Sequence, residues 1–146
     1  MISRDTVVEE TRRWIGTPWH HQASVRGVGC DCIGLVVGVA AAIGVREAAL
    51  WRADLKYRAY GTLPLPDKLL AACSEYLDSI PVASARRGDV LLMTFMKEPM
   101  HFGILTEDDP QYMAHGYQRF GQVREHALDK VWRRRVLMAF QLRGVG

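Results

Sequence analysis

The residues best suited to chemistry are one cysteine at the start of an apolar segment and two histidines further along the chain. Cys32 follows Asp31, a residue type that commonly caps the amino end of a helix. In the first turn of a helix the backbone N–H groups lack intrahelical partners, and the dipole places partial positive charge there. Such a site lowers the pKa of a thiol, and the same N–H groups can bind an oxyanion. The sequence therefore predicts Cys32 as a candidate nucleophile.

A nucleophilic thiol needs a base, and His101 is the candidate. It follows a polar, turn-like segment at 97–100 and begins an apolar run in which Gly103 allows close approach of another backbone. His115 ends the next apolar run. If the two runs form a hairpin about residues 108–110, the two imidazoles lie near each other at one end of it. His115 can then fix the tautomer of His101, which can exchange protons with the thiol and a leaving amine.

The apolar pattern predicts helices first and strands afterwards. Predicted helices cover 3–15, 31–44 and 67–80, with a loop at 16–30 and an irregular segment at 46–64. Predicted strands cover 89–95, 101–106, 111–114, 123–127 and 135–142. This order is typical of the α+β class, in which N-terminal helices pack on a central antiparallel sheet, here of about five strands. The helix 31–44 is mostly apolar and is predicted to lie directly on the sheet.

Length and composition favour one domain over residues 1–146. Apolar residues make up 49% and charged residues 24% of the chain, as in ordinary globular proteins. The longest uncharged apolar run, 33–45, is shorter than the ~20 residues that a membrane span needs. The amino-terminal residues lack the hydrophobic stretch of a signal peptide. We therefore expect a protein made in the cytoplasm that does not insert into a membrane.

Positive charge is concentrated at the carboxyl end. The net charge is +3 overall, but residues 119–146 carry +5 and the remainder carries −2. The Arg triplet 133–135 beside Trp132 is too narrow a basic face to favour nucleic-acid binding. We interpret it as part of an edge strand whose charges prevent edge-to-edge pairing.

The three cysteines do not form a disulfide framework. Cys73 lies in a helical apolar pattern and is predicted to be a core residue, while Cys30 and Cys32 are too close for an unstrained bridge. Free thiols indicate a reducing compartment. Together with His20 and His21, the cysteine pair also supplies zinc-type ligands. Their spacing matches no closed zinc site, so neither a metal nor another cofactor is expected.

Five ordered motifs resemble those of the NlpC-type cell-wall cysteine peptidases, which are papain-like enzymes. The motifs are Thr17-Pro18-Trp19, Asp31-Cys32-x-Gly34-Leu35, Gly88-Asp89-Val90-Leu91, His101-x-Gly103-Ile104 and Ala114-His115. The resemblance extends over most of the chain. Its closest likeness is to short members from phages, prophages and gene-transfer particles, which share His21-Gln22, the cysteine-rich turn at 27–32 and the Trp-Arg-Arg-Arg run at 132–135.

The resemblance implies a papain-like fold with the nucleophile at the amino end of the central helix. It implies that Cys32 is the nucleophile, His101 the base and His115 the orienting residue. Trp19 stands where the family usually has Tyr, and Ile33 where Ser is common. Trp19 and Asp31 are candidates for substrate binding or oxyanion support. His20 and His21 either line the cleft or solvate the loop.

The implied substrate is a peptidoglycan stem peptide, cleaved between the side-chain carboxyl of D-glutamate and the diamino acid. The likeness to phage members implies action at the cell wall, with phage-tail proteins as partners and with delivery on a particle or after lysis. Two alternatives stay open. One is a weakly active or non-catalytic tail-assembly component with the same fold. The other is an amidase or transacylase, since the same groups serve any acyl transfer.

Overall fold

The computed structural model of the chain describes residues 1–54, 66–95 and 98–146, and of residues 98–100 it describes the backbone alone. In these ranges the helices are α1 (Arg4–Arg13), α2 (Cys32–Ala42), α3 (Arg46–Ala53), α4 (Pro66–Tyr76) and α5 (Lys130–Arg133). The strands are β1 (Ser24–Val25), β2 (Gly29–Cys30), β3 (Leu77–Ile80), β4 (Val90–Phe95), β5 (Glu98–Asp108), β6 (Gln111–Tyr117), β7 (Gln122–Ala127) and β8 (Val136–Leu142). None of the described helices has both the length and the apolar character needed to cross a membrane.

Strands β3 to β8 form one antiparallel sheet in the order β3-β8-β4-β5-β6-β7. The predicted α+β class is confirmed, with six strands instead of about five. The additional strand, β3, occupies residues that were predicted as the end of the third helix. It pairs with β8, so that Leu77 lies opposite Leu142 and Ile80 opposite Ala139. Leu77 and Ile80 are three positions apart, a spacing that also fits a helix. Pairing with β8, a strand distant in sequence, decided the extended conformation of this segment.

Helix α2 lies at the centre of the fold, as predicted. Asp31 caps it, because Asp31 Oδ1 accepts a 2.7 Å hydrogen bond from the Gly34 N–H group. Every residue from Cys32 to Ala40 is buried, so the helix has no polar face. It is enclosed by α1 and α3 and by the sheet strands β5 and β6. This packing places the first turn of α2 against the strands that carry the two candidate histidines.

The segment 16–30 contains a small hairpin, where the sequence predicts no regular element. Strands β1 and β2 pair with Ser24 opposite Cys30 and Val25 opposite Gly29. Ser24 Oγ also donates a 2.6 Å hydrogen bond to the carbonyl of Gly34 in α2. A two-strand ladder this short is marginal alone, so its contact with the helix accounts for its formation.

Two other local predictions are corrected by tertiary contacts. Part of the segment expected to be irregular forms α3, where Ala48 and Trp51 are buried one helical turn apart. The rest of that segment, from residue 55 to 64, lies outside the described residues. The turn expected at 97–100 is wrong from residue 98 onward, since β5 begins at Glu98 and pairs with β4. Residue 97 also lies outside the described part.

The interpretation of the Arg triplet as protection for a sheet edge is wrong. The strand that follows it, β8, lies between β3 and β4 and is therefore an inner strand. The Arg135 guanidinium carbon lies 4.5 Å from the ring centroid of Trp132 and 4.9 Å from that of Phe95. Arg135 therefore stacks on aromatic rings, an arrangement in which cation–π attraction holds the charge in place.

A buried ion pair joins α1 to the sheet. Arg4 Nη1 donates a 2.7 Å hydrogen bond to Asp89 Oδ1, and the Asp89 side chain has no exposed surface. Arg4 also donates to the Arg87 carbonyl, and Asp89 Oδ2 accepts from the Arg86 N–H group. Breaking such a pair from one side leaves a buried charge without compensation.

Arg4→Ala is expected to lower the free energy of unfolding by about 3–5 kcal/mol, because Asp89 stays buried and loses its charged partner. Arg13→Ala is the matched control in the same helix. Its guanidinium is exposed and lies 3.2 Å from Glu10, which keeps its contacts with Arg26 and the Trp14 indole N–H, so the loss of Arg13 is expected to cost at most about 1 kcal/mol. Urea unfolding followed by tryptophan fluorescence measures both variants. Equal losses in the two variants would contradict the prediction.

Candidate functional site

Cys32 is the first residue of α2, and strand β6 passes directly against it. A Cβ atom on Gly116 would lie 3.1 Å from the Asp31 carbonyl oxygen and 3.6 Å from the Cys32 nitrogen. A side chain at this point would crowd the Asp31 backbone, so glycine favours the close approach of the strand to the helix. Gly116 follows His115 directly, so the start of α2 and the histidine end of β6 are brought to the same place.

The three cysteines differ in exposure. Cys30 and Cys73 have relative exposures of 0% and 1%, whereas Cys32 retains 8%. Burial raises the pKa of Cys73 to about 12. Burial, followed by the charge of Asp31, raises the pKa of Cys30 to about 12 as well. Both of these thiols are therefore protonated at neutral pH and unsuited to nucleophilic attack.

His101 and His115 are hydrogen-bonded to each other. His101 Nε2 lies 2.6 Å from His115 Nδ1. The two side chains share one face of the sheet, because β5 and β6 pair with Ile104 opposite Ala114. The hairpin formed by β5 and β6 therefore places the imidazoles of His101 and His115 next to each other, as the sequence predicts. His115 is fully buried and His101 nearly so.

Burial keeps both imidazoles neutral. The pKa of His101 is lowered to about 3 by burial and then by the charge of Arg135. The pKa of His115 is lowered mainly by burial, and further by its neighbours His101, His126 and Arg135. At neutral pH both rings therefore have an unprotonated nitrogen, and a base requires this form.

A third histidine, which sequence reasoning missed, extends the pair. His126 Nε2 lies 2.7 Å from His115 Nε2, and His126 Nδ1 lies 2.8 Å from the Ala127 carbonyl oxygen. Its position follows from the pairing of β6 with β7, in which Met113 lies opposite His126. Residues directly opposite in a sheet share a face, as do alternate residues of one strand. The pairing and register of β6 and β7 therefore place His115 and His126 on one face of the sheet.

An aromatic wall surrounds the histidines. Its members are Phe95, Tyr117, Phe120 and Trp132, each with a ring centroid within 5.6 Å of the centroid of His101 or His115. Arg135 lies over two of these rings. The wall excludes water from the imidazoles, which is the physical cause of their lowered pKa values.

The loop residues singled out in the sequence lie beside the start of α2. Trp19 bridges to Cys30 and donates its backbone N–H to the Gly121 carbonyl at 2.9 Å. Its half-buried ring stacks on His21, with centroids 6.4 Å apart. His20 is exposed, and its Nδ1 lies 3.1 Å from the His21 carbonyl oxygen. Trp19, His20 and His21 therefore belong to a loop segment that lies beside Cys30 and Asp31, the two residues before Cys32.

Asp31 holds this loop to the helix. Its Oδ1 accepts from the Gly34 N–H group and its Oδ2 accepts a 2.9 Å hydrogen bond from the Gln22 N–H group. A carboxylate with both oxygens bonded to backbone is a positioning group. Asp31 therefore fixes the position of the loop relative to the first turn of α2.

Among the residues that the structure describes, no group of three or more His, Cys, Asp or Glu side chains is arranged to hold a metal ion. The histidines and cysteines considered as zinc ligands from the sequence lie in different environments. His20 is exposed, whereas Cys30 is fully buried with a raised pKa.

The two neutral histidines are expected to make the fold sensitive to acid. Below about pH 6.5 the unfolded chain binds protons that the native state does not, so stability falls as the pH falls. The loss is about 2 kcal/mol for each histidine between about pH 6.5 and about pH 5. His115→Asn should reduce this loss by about half, whereas His20→Asn, at an exposed position, should leave it unchanged. Urea midpoints across this range test it, and a flat profile for the wild type contradicts it.

Comparison with known proteins identifies the fold. No family model and no curated protein matches the sequence. Among solved structures, the NlpC/p60 domain of the peptidoglycan hydrolase SagA aligns with a TM-score of 0.64 and 19% identity, over 95% of this chain and 98% of that one. An NlpC/P60 family protein from Bacillus cereus gives 0.64 and 15%, over 95% of this chain and 40% of its own. The P60 domain of an antigen from M. avium subspecies paratuberculosis gives 0.57 and 18%, over 95% and 93%. The chain therefore has the papain-like fold of the NlpC/P60 domains.

Proposed function

We propose that the chain is a cysteine peptidase that hydrolyses a peptide bond in peptidoglycan stem peptides. The observation that carries the proposal is the 2.6 Å contact between His101 Nε2 and His115 Nδ1, on strands packed against α2, where β6 passes directly against the first residue of the helix. A base that is oriented by a second polar ring is the arrangement that activates a nucleophile. Cys32, the most exposed of the three cysteines, begins that helix. One similar structure is named a peptidoglycan hydrolase, which supports the substrate class.

The proposed reaction proceeds through a thioester. Cys32 Sγ bonds to the carbonyl carbon of the substrate while His101 Nδ1 accepts the thiol proton. The C–N bond then breaks, and the amine leaves with the proton from His101. Water next attacks the thioester, passing a proton to His101, and the C–S bond breaks as the thiol recovers that proton. The overall reaction of the two steps is hydrolysis of the peptide bond, and it needs no cofactor.

His101 is neutral in the resting enzyme. Burial, followed by the charge of Arg135, lowers the pKa of His101 to about 3, which disfavours a resting imidazolium. The neutral ring has an unprotonated nitrogen that can accept the thiol proton.

The oxyanion of the tetrahedral intermediate requires hydrogen-bond donors near Cys32. The Gly34 N–H group is engaged by Asp31, so we assign the role to the Cys32 N–H group at the helix start. We assign the second donor to the indole N–H of Trp19, a residue whose backbone pairs with that of Cys30. His20 and His21 extend along the same segment and would contact the peptide.

Cys32→Ala is expected to abolish cleavage of purified muropeptides, because no other described cysteine combines exposure with a position at the start of α2. Mass spectrometry of digests should show cleavage by the wild type between the D-glutamate side-chain carboxyl and the diamino acid. Cys73→Ala and Cys30→Ser are the controls and should retain most activity.

The products separate the proposal from its alternatives. Transfer of the acyl group to an added amine, without hydrolysis, would indicate a transacylase. Absence of any product with stem peptides of several types would indicate a structural component with this fold. Loss of activity in Cys30→Ser with retention in Cys32→Ala would reassign the nucleophile.

We further propose that the enzyme belongs to a phage-like particle and reaches the wall on that particle or after lysis. The proposal rests on the resemblance of the cysteine-rich turn and of the run 132–135 to phage-type members. The expected result is detection by antibody in purified particles, together with tail proteins, or in lysates. Absence from both fractions would count against it.

A further inference from the structure

Three imidazoles form one hydrogen-bonded line that ends on a backbone carbonyl. His101 Nε2 lies 2.6 Å from His115 Nδ1, and His115 Nε2 lies 2.7 Å from His126 Nε2. At the end of the line, His126 Nδ1 lies 2.8 Å from the Ala127 carbonyl oxygen. The other terminal nitrogen of the line is His101 Nδ1.

The carbonyl determines the direction of every hydrogen bond in this line. A carbonyl oxygen only accepts, so His126 Nδ1 must carry its hydrogen. With all three rings neutral, as at about pH 8.5, each has one N–H, so His126 Nε2 accepts and His115 Nε2 must donate to it. By the same rule His115 Nδ1 accepts and His101 Nε2 donates. His101 Nδ1 is therefore left with a lone pair.

We infer that His126 is a positioning residue which, together with the Ala127 carbonyl, selects the tautomer of His101 that can act as a base. The catalytic use of this tautomer rests on the proposed function, in which His101 Nδ1 takes the proton of Cys32. The assignment of the hydrogens rests only on the geometry of the three rings and the carbonyl.

Without His126 the hydrogen bond between the two remaining rings fixes no direction by itself. Either His101 Nε2 donates to His115 Nδ1 or the reverse, and each arrangement makes one hydrogen bond. In the reverse arrangement the hydrogen of His101 lies on Nδ1, where it blocks acceptance of the thiol proton. A water molecule at the position of His126 would not select a direction, because water both donates and accepts.

The surroundings of His126 hold its ring in line. Its ring centroid lies 5.1 Å from that of Trp132 and 5.8 Å from that of Phe120. His126 is half-buried at the outer end of the line, whereas His115 is fully buried. The aromatic contacts limit rotation of the imidazole, so both of its hydrogen bonds keep their geometry.

The matched variants are His126→Gln and His126→Phe. In His126→Gln the amide NH2 can donate to the Ala127 carbonyl and its oxygen can accept from His115, which preserves the direction of the line. Phenylalanine occupies similar space between the two aromatic neighbours but accepts no hydrogen bond. Circular dichroism and urea unfolding establish that both variants fold.

The test is NMR of the 15N-histidine-labelled protein at about pH 8.5, where a free imidazole is neutral. Two-bond correlations show which ring nitrogen carries the hydrogen. We expect His101 to carry it on Nε2 in the wild type and in His126→Gln, and to become a mixture of both tautomers in His126→Phe. Because roughly half of the molecules then hold the competent tautomer, kcat for muropeptide cleavage should fall about twofold in His126→Phe, with KM little changed, and recover in His126→Gln.

A hydrogen on His101 Nδ1 in the wild type would overturn the inference, and so would an unchanged His101 tautomer in His126→Phe. These results are independent of turnover. If the wild type cleaves no wall peptide, the proposed function fails, while the nitrogen signals still decide the tautomer. The rate of Cys32 alkylation by iodoacetamide then replaces kcat as the reactivity readout, and should be lower in His126→Phe than in His126→Gln.

Discussion

The first turn of α2 is packed closely against two other backbone segments, so that a side chain at Gly34 would not fit and one at Gly116 would be crowded. A Cβ atom at Gly34 would lie 1.9 Å from the Ala23 carbonyl oxygen, and one at Gly116 would lie 3.1 Å from the Asp31 carbonyl oxygen. Close-packed interiors transmit such contacts with little relaxation. Main-chain contacts therefore hold together the loop segment 19–23, helix α2, which begins at Cys32, and strand β6, which carries His115. A site built in this way needs few flexible side chains to keep its geometry.

Desolvation is the second determinant of the site. The aromatic wall removes water from the histidines, and Arg135 adds a positive charge nearby, so both effects favour neutral rings. The guanidinium of Arg135 is itself stabilised by the faces of Trp132 and Phe95. The same environment strengthens the hydrogen bonds between the imidazoles, because there is little competing solvent. Burial thus costs stability in acid and keeps both imidazoles uncharged at neutral pH.

Most of the fold and part of the site could be predicted from local sequence. The Asp31 cap, the apolar run after it and the five alternating segments specify α2 and five of the strands, since capping and periodicity are properties of neighbouring residues. The strand Leu77–Ile80 was predicted as helix because its apolar spacing suits both states. The hairpin at 24–30 was missed because its stability comes from α2. In both segments a partner distant in sequence decided the backbone conformation.

The sequence by itself determined that Cys32 begins the central helix and that His101 and His115 lie at one end of a hairpin. These positions follow from a cap, a turn and a period of two. Only the tertiary structure decided that His126 continues the pair and that Arg135 faces aromatic rings instead of a sheet edge. Both depend on which strands are neighbours and in what register, and pairing between distant segments sets that order. Hydrogen bonds and ring contacts act over a few ångströms, so their partners are known only once the chain is folded.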